Sequence, residues 1–288
     1  MIRHRQHKSL NPSQVKARLK TFFKEDNIAK DITTTVTQIK NQDAQAVISA
    51  KEKMVFAGRE IIIQAFNNCR ILRIENDGEY ILKGQSIAVI QGPIQTILNK
   101  ERVVLNLLQR LSGIASKTKK LIKIMAPHNI QLLDTRKTTP GLRMFEKFAV
   151  YVGGGTNHRN SLSDAIMIKD NHQIGKLDVL LITKTAKKTH PNKDIQLEVD
   201  NREQLDIALK SSADSILLDN FKPTKLEEIV HYVRSHKNGK NFYIELSGGI
   251  TEHTLAQYCI EGVNGISMGS LTHNVQSMDI SLDIQEIK

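Results

Sequence analysis

Residues 134–172 read DTRKTTPGLRMFEKFAVYVGGGTNHRNSLSDAIMIKDNH. Cations crowd this stretch: Arg136, Lys137, Arg143, His158, Arg159 and Lys169, with Asp134, Asp164 and Asp170 among them. A packed core has no use for such density. A site for a multiply anionic ligand does, because guanidinium and ammonium groups hold carboxylates and phosphates through charge-assisted, often bidentate hydrogen bonds. A merely solvated basic face is the plainer alternative. His158 could serve as a general base, although its cationic neighbours favour an electrostatic role. A hydrogen-bonded loop histidine is the structural alternative.

The surrounding pattern says how such residues would meet. From residue 130 onward, β-rich runs (130–134, 165–169, 195–199, 215–218, 242–246 and 265–268) alternate with helical stretches (177–188, 203–210, 225–233 and 254–260). Repeated βα units predict a parallel sheet. Their number, and the lack of a Gly-x-Gly-x-x-Gly turn after the first strand, favour a barrel over an open dinucleotide-binding sheet. Polar residues close these runs: Asp134-Thr135-Arg136-Lys137, Lys169-Asp170-Asn171-His172, Glu198-Val199-Asp200, Asp219-Asn220 and Ser247-Gly248-Gly249. One Asp after a strand is more often a helix cap. Five polar ends in register are harder to dismiss, because the carboxyl ends of barrel strands converge on one mouth.

That mouth has a cationic half (Arg136, Lys137, His158, Arg159, Lys169) and an anionic half (Glu198, Asp219). Two carboxylates among anion-binding groups suit Mg²⁺ bridging a phosphorylated ligand, or bonds to sugar hydroxyls. Ser247-Gly248-Gly249-Ile250 is expected to precede a helix, where backbone N–H groups approach a phosphate. Gly269-Ser270, after the last strand, would do the same, matching the usual phosphate site of βα barrels.

Upstream, Asn11-Pro12-Ser13 reads as a helix start, followed by Val15, Leu19, Phe22 and Phe23 at helical spacing. Residues 24–34 read as a polar turn leading into β-friendly residues. Strands are expected at 44–50, 70–75, 79–83 and 86–90, with a short helix over 58–66. The Asp77-Gly78 and Lys83-Gly84 turns suggest a lipoyl- or biotinyl-carrier half-fold, but such a hairpin is usually plain structure. Residues 94–125 carry a helical apolar stripe that Ser112-Gly113 is expected to break or kink. Arg102, early in that helix, reads on its own as a snorkelling arginine. In the tail, Ile280, Leu282 and Ile284 alternate like an edge strand that returns to the first domain's sheet.

Composition sets the outer bounds. A chain of 288 residues suits one large α/β domain, or a barrel with a smaller second domain, and 40% hydrophobic with 25% charged content is ordinary for a soluble globular protein. No apolar run nears the ~20 residues of a membrane span, and no secretory h-region follows the basic start. Cys69 and Cys259 form neither a disulfide framework nor a metal spacing, so a reducing cytoplasm is expected. His4, His7, His190, His231, His236 and His253 show no zinc spacing, and no Gly-x-Ser-x-Gly or Walker motif is present. The net charge of +11 invites a nucleic-acid reading. Against it stand the missing Trp, the 5% aromatic content and the scattered lysines, and an anionic small molecule explains the charge equally well.

In their order and spacing, DTRKTTPGLR, EKFAV, GGGTNHR, MIKDNH, LEVDN, ILLDN, ELSGGI and ISMGSLTH resemble the quinolinate phosphoribosyltransferase family. The resemblance runs from KEDNIAKDITT to DISLDI, nearly the whole chain. It implies an α/β fold: an incomplete, TIM-like α/β barrel over 113–270, with an N-terminal α+β sandwich domain over 1–112 that the 271–288 tail rejoins. It implies homodimers, in some members hexamers built as trimers of dimers, and composition adds the expectation of no nucleic-acid or membrane partner. The implied reaction joins quinolinate to phosphoribosyl pyrophosphate with Mg²⁺, giving nicotinate mononucleotide, pyrophosphate and CO₂ for NAD biosynthesis. By motif position, Arg136, His158, Arg159 and Lys169 would hold the quinolinate carboxylates and nearby phosphates. Lys137 would contact quinolinate or pyrophosphate, and Arg102 would reach the pocket of the partner subunit. Glu198 and Asp219 would face the ribose hydroxyls and Mg²⁺, directly or through water, and with Lys137 form the catalytic group. Ser247, Gly248, Gly249, Gly269 and Ser270 would hold the 5′-phosphate.

Two positions depart from the family pattern: Lys30 where Gly usually precedes the Asp, and Asn274 where Ser usually follows Leu-Thr-His. A molybdenum-transport-associated relative and a nicotinate phosphoribosyltransferase are the competing enzymes. The full set of Arg102, Arg136, His158 and Arg159 favours the dianionic quinolinate over a monocarboxylate. A non-catalytic nucleic-acid binder is the alternative from another class, and it would betray itself by steeply salt-dependent duplex binding.

Overall fold

The computed structural model describes residues 4–169, 172 and 178–286. Asp170 and Asn171, read as part of a strand end, and Leu177, expected in a helix, lie outside the described residues. In chain order the elements are α1 (Pro12–Glu25), α2 (Ile32–Thr37), β1 (Asp43–Ala50), β2 (Met54–Val55), α3 (Arg59–Ala65), β3 (Arg70–Ile74), β4 (Tyr80–Ile81), β5 (Ser86–Pro93) and α4 (Ile94–Met125). They continue through β6 (Gln131–Leu133), α5 (Arg143–Val152), β7 (Ile166–Ile168), α6 (Val179–Thr189), β8 (Ile195–Val199), α7 (Arg202–Lys210) and β9 (Ser215–Asp219). The last are α8 (Pro223–Ser235), β10 (Tyr243–Ser247), β11 (Gly265–Ser267), α9 (Ser270–His273) and β12 (Ile280–Glu286). Among the described residues no helix is long and apolar enough to cross a membrane.

The chain forms two compact units, each discontinuous in sequence. The α+β unit takes His7–Lys119, Thr139–Gly154 and the chain from Asn274 onward; the α/β unit takes the residues up to Gln6, Lys120–Thr138 and Gly155–His273.

The α+β unit is built on an antiparallel sheet in the order β12-β1-β5-β3. Along β1, Ala44, Ala46, Ile48 and Ala50 are buried and alternate with more exposed residues, the period of a half-covered sheet. β12 forms one edge, with Ile280 opposite Ala50 and Ile284 opposite Ala46. The Asn11 side chain caps α1 by accepting from Gln14 N at 3.2 Å, with Pro12 in the first turn. Asp77 accepts from the N–H groups of Gly58 (2.6 Å) and Arg59 (3.0 Å) at the start of α3, which is structural work enough for this hairpin.

Two local expectations fail here. The Ile-Thr-Thr-Thr-Val-Thr run is not extended but helical as α2, because Asp31 accepts from Thr34 N at 3.0 Å and caps it. The same carboxylate also takes the Thr34 hydroxyl at 2.5 Å. Lys30, the departure from the family pattern, therefore leaves the capping Asp in place. Nor do Ser112 and Gly113 break α4, which runs 32 residues through them. Both serve close approach instead: Ser112 Oγ accepts from Ala57 N at 3.2 Å, and a Cβ on Gly113 would strike the Gln276 carbonyl and meet Val275 Cγ1 at 3.1 Å.

The α/β unit is a six-stranded parallel sheet, order β6-β11-β10-β9-β8-β7, an incomplete barrel. An isolated parallel bridge from Leu133 to Thr156 extends it beyond β6. Residues paired across a parallel register share a face. One face takes Ile195, Leu197, Val199, Ile216, Leu218, Ile244, Leu246 and Ile266, aliphatic throughout. The other takes Gln196, Glu198, Ser215, Asp219, Tyr243, Glu245, Ser247 and Ser267, with Met167, Leu217 and Leu133 as apolar members among them. Helices α7 and α8 bury Leu205, Ala208, Leu209, Leu226, Ile229, Val230 and Val233, supplying apolar partners for an aliphatic face.

Gly113→Ala isolates the close-approach argument. An alanine gains about 1 kcal/mol of helix propensity, whereas overpacking against a fixed carbonyl costs about 1–3 kcal/mol. We expect a lower Tm despite the better helix former. A Tm at or above that of the wild type, by calorimetry, would show that residues 275–276 yield without cost.

Candidate active site

The strand ends of the α/β unit gather most of the residues picked out by sequence. Asp134 directly follows β6 and is fully buried: its Oδ2 accepts from Asn157 Nδ2 at 2.7 Å and its Oδ1 from His158 N at 2.8 Å. Gln6 grips the same segment, donating to Asn157 O at 3.0 Å and accepting from Asn157 N at 2.7 Å. Asp134 is therefore a bracket for the segment that carries His158 and Arg159, both buried.

Arg159 donates to Ala165 O at 3.2 Å and meets Met167 Sδ at 3.3 Å. Burial, and then the neighbouring Arg136 charge, push its pKa below the usual arginine value, while Asp164, Glu198 and Glu245 pull the other way. An arginine stays charged regardless, so Arg159 feels the like charge of Arg136 against the opposing carboxylates. The Arg136 Nε is itself buried, with no hydrogen-bond partner among the described residues. Lys169, following β7, forms an ion pair with Glu198 of β8. Asp219, the last residue of β9, lies in register with Ser247 of β10 and accepts from Asn220 Nδ2 at 2.6 Å.

Ser247-Gly248-Gly249 forms a loop in which both glycines have positive φ, +91° and +61°. A Cβ at Gly248 would lie 2.5 Å from Asn220 N, so both space and backbone demand glycine there. The expected helix does not follow. Thr251–Thr254 is a turn closed by Thr251 N donating to Thr254 Oγ1 at 3.0 Å, and a short 3-10 segment, Leu255–Tyr258, comes next. Short hydroxyl side chains that bond to nearby backbone compete with helix formation. A phosphate here would meet loop N–H groups rather than a helix end. Gly269 and Ser270 sit where β11 gives way to the four-residue α9. A Cβ at Gly269 would lie 2.7 Å from Lys137 Cδ, and Thr272 Oγ1 donates to Lys137 O at 2.7 Å, so Lys137 runs along this loop.

Arg136, Arg159, Lys169 and Glu198 thus form one electrostatic group, with Lys137 beside Gly269. Arg102 belongs to the α+β unit, on α4, with its side chain 63% exposed and Glu101 3.7 Å away. Sequence reasoning missed Glu245. This carboxylate is 1% exposed, accepts from Gln196 Nε2 at 2.8 Å and lies 3.2 Å from His158 Nε2. Burial would raise its pKa, but His158, Ser267 and Gln196 outweigh that and hold it below the ordinary carboxylate range. Its signal in the sequence was a lone charge inside a β-rich run, Phe-Tyr-Ile-Glu-Leu, since a charge is seldom fully buried unless it is paired.

Donor chemistry also bears on a divalent cation. Glu198 and Asp219 offer hard carboxylate oxygens near the carboxyl ends of adjacent strands. Mg²⁺ is typically held by one or two carboxylates plus substrate phosphates. The pair fits that pattern.

Comparison with known proteins agrees in both parts of the chain. Residues 31–112 match the model of the quinolinate phosphoribosyl transferase N-terminal domain, and residues 114–283 that of the C-terminal domain. A probable nicotinate-nucleotide pyrophosphorylase [carboxylating] of Bacillus subtilis is 41% identical over 280 residues, covering 96% of this chain and 95% of the relative. One from Methanocaldococcus jannaschii is 41% identical over 261 residues, covering 88% and 91%. The solved nicotinate-nucleotide pyrophosphorylase of Francisella tularensis superposes with a TM-score of 0.90 at 32% identity, covering 98% of this chain and 100% of that one. The chain belongs to the quinolinate phosphoribosyl transferase family.

Proposed function

We propose that the protein transfers the phosphoribosyl group of phosphoribosyl pyrophosphate to quinolinate with decarboxylation, giving nicotinate mononucleotide, pyrophosphate and CO₂ for NAD biosynthesis. The observation that carries the reading to this site is the juxtaposition of Arg136 and Arg159. They are like charges whose repulsion lowers the pKa of Arg159, and the buried Arg136 Nε has no hydrogen-bond partner among the described residues. A ligand with two adjacent carboxylates answers that deficit better than a monocarboxylate, because each guanidinium pairs best with a carboxylate of its own.

The roles follow from charge. Arg136, Arg159 and Lys169 hold the dicarboxylate, with His158 behind them, and Lys137 reaches quinolinate or the pyrophosphate. Ser247, Gly248, Gly249, Gly269 and Ser270 receive the 5′-phosphate. The pyridine nitrogen lone pair forms the bond to the anomeric carbon as the carbon–oxygen bond breaks, its electron pair leaving with pyrophosphate. Glu198 and Asp219 stabilise the positive charge that develops on the ribose. Mg²⁺, held by these carboxylates directly or through water, would neutralise charge on the departing pyrophosphate. The bond from ring carbon 2 to its carboxylate then breaks. Its electron pair stays on the ring beside the cationic nitrogen, CO₂ leaves, and the carbon takes a proton from solvent. Lys169, paired with Glu198 in the free site, must exchange that partner for the incoming anion.

The same reading makes the protein a homodimer, or a hexamer as a trimer of dimers, in which Arg102 completes the partner's pocket. The exposure of Arg102 supports this. A reducing cytoplasm suits the two free cysteines, and the charge of +11 serves small anions rather than nucleic acid.

Three measurements test this. With phosphoribosyl pyrophosphate and Mg²⁺, quinolinate should be turned over with release of both CO₂ and pyrophosphate, and nicotinate should not. Turnover of nicotinate, or of neither base, would overturn the assignment. Arg136→Ala and Lys169→Ala should each lower kcat/KM for quinolinate by more than about tenfold, since each removes a charge partner of a dianion. Wild-type values would remove them from the clamp. Mixing Arg102→Ala with Glu198→Ala subunits should restore activity that neither has alone; no recovery after demonstrated subunit exchange would mean that Arg102 acts within its own chain.

A further inference from the structure

We propose that Glu245, on the polar face of β10, is a positioning residue of the anion clamp: it fixes the His158 ring, and through that ring the backbone that presents Arg159. Three contacts form the relay. Glu245 Oε2 accepts from Gln196 Nε2 at 2.8 Å, His158 Nε2 lies 3.2 Å from the same oxygen, and Arg159 N donates to His158 Nδ1 at 2.7 Å.

The last contact settles the tautomer. A backbone N–H is always a donor, so the Nδ1 it reaches carries no proton. The proton must then reside on Nε2, where it points at Glu245. Both ring nitrogens are spent inside the protein, and the ring is buried. His158 therefore acts on the ligand through Arg159. A direct bond from its ring to a substrate carboxylate, the role the family resemblance suggested, would require giving up one of these two contacts.

The charge of Glu245 matters as well as its reach. Arg136 weakens the charged state of Arg159, while Glu245, Glu198 and Asp164 favour it. Glu198 is shared with Lys169, and Asp164 is engaged in its own turn, accepting from Asn160 N at 2.7 Å and Ser161 N at 3.0 Å. Glu245 is instead enclosed with Gln196, Ser267 and His158, away from the exposed mouth. Asp134 holds the His158 N–H at 2.8 Å from the other side. Two buried carboxylates from β10 and the end of β6 thus bracket the segment that carries the clamp.

This rests on the quinolinate reading only for the identity of the anion. The test uses the full-length protein in three forms: wild type, Glu245→Gln and Glu245→Leu. Gln keeps an oxygen that can accept from both His158 and Gln196 but drops the charge, and Leu drops both. In the free wild type, ¹⁵N-detected imidazole spectra should find His158 protonated at Nε2 and bare at Nδ1, and the Leu variant should lose that fixed state. Quinolinate KM should rise by about tenfold or more in the Leu variant and clearly less in Gln, with KM for phosphoribosyl pyrophosphate nearly unchanged. A general loss of structure would raise both constants and lower Tm together.

A wild-type ring protonated at Nδ1 would overturn the proposal, even if the Leu variant fails to fold. So would a folded Leu variant with the wild-type quinolinate KM. Failure of the wild type to use quinolinate would overturn the functional reading instead, and leave the tautomer result standing as the test of the relay.

Discussion

A buried guanidinium, Arg159, feels the like charge of the half-buried Arg136, and the architecture of the α/β unit follows from holding both charges at one mouth. Removing a charge from water costs several kcal/mol unless it is paired and hydrogen-bonded. Two like charges add mutual repulsion to that cost. The protein offsets it with carboxylates from separate strands: Glu198 from β8, Glu245 from β10 and, through the backbone, Asp134 after β6. The offset is incomplete, and the remainder is what an anionic ligand finds. A fully neutralised pair would bind nothing, and a bare one would not fold into place.

That requirement explains a feature unusual for a parallel sheet. Strands covered on both sides normally read as continuous apolar runs. Here β8, β9 and β10 alternate, with aliphatic residues on one face and Gln196, Glu198, Ser215, Asp219 and Glu245 around Leu217 on the other. The aliphatic face supplies the hydrophobic driving force. The polar face supplies hydrogen-bond acceptors at several depths, so that carboxylates can hold cations below the mouth as well as at it. Stability and ligand binding are carried by opposite faces of the same strands, and a one-residue slip in register would exchange them.

What could be read in the sequence divides along the same line. The clamp residues were visible because they cluster in one contiguous stretch and follow recognisable strands. Apart from the helix expected over 254–260, the element types of the α/β unit were visible because βα alternation is a local signal. Glu245 was not, since its partners His158 and Gln196 lie 87 and 49 residues away and no local pattern joins them. Local signals also misled. Ser112-Gly113 looked like a break in α4, but the constraint on those residues comes from the 275–276 segment, far along the chain. The Thr-rich run at α2 looked extended until the single capping carboxylate of Asp31 is counted.

The glycines of the two strand-end loops carry the argument one step further. Read as sequence, Gly248 and Gly269 serve one purpose, letting backbone N–H groups approach a phosphate. Their geometry separates them. Gly248 has positive φ and lies against Asn220, so it shapes the loop itself. Gly269 lies against the side chain of Lys137, so its missing Cβ clears a path for that lysine. Lys137 is an exposed residue and has many rotamers to lose. A channel along Gly269, with Thr272 bonded to the Lys137 carbonyl, removes part of that freedom before any ligand arrives. The glycine thus directs an ammonium group along the same loop that offers backbone N–H groups, and one short turn presents both kinds of phosphate donor.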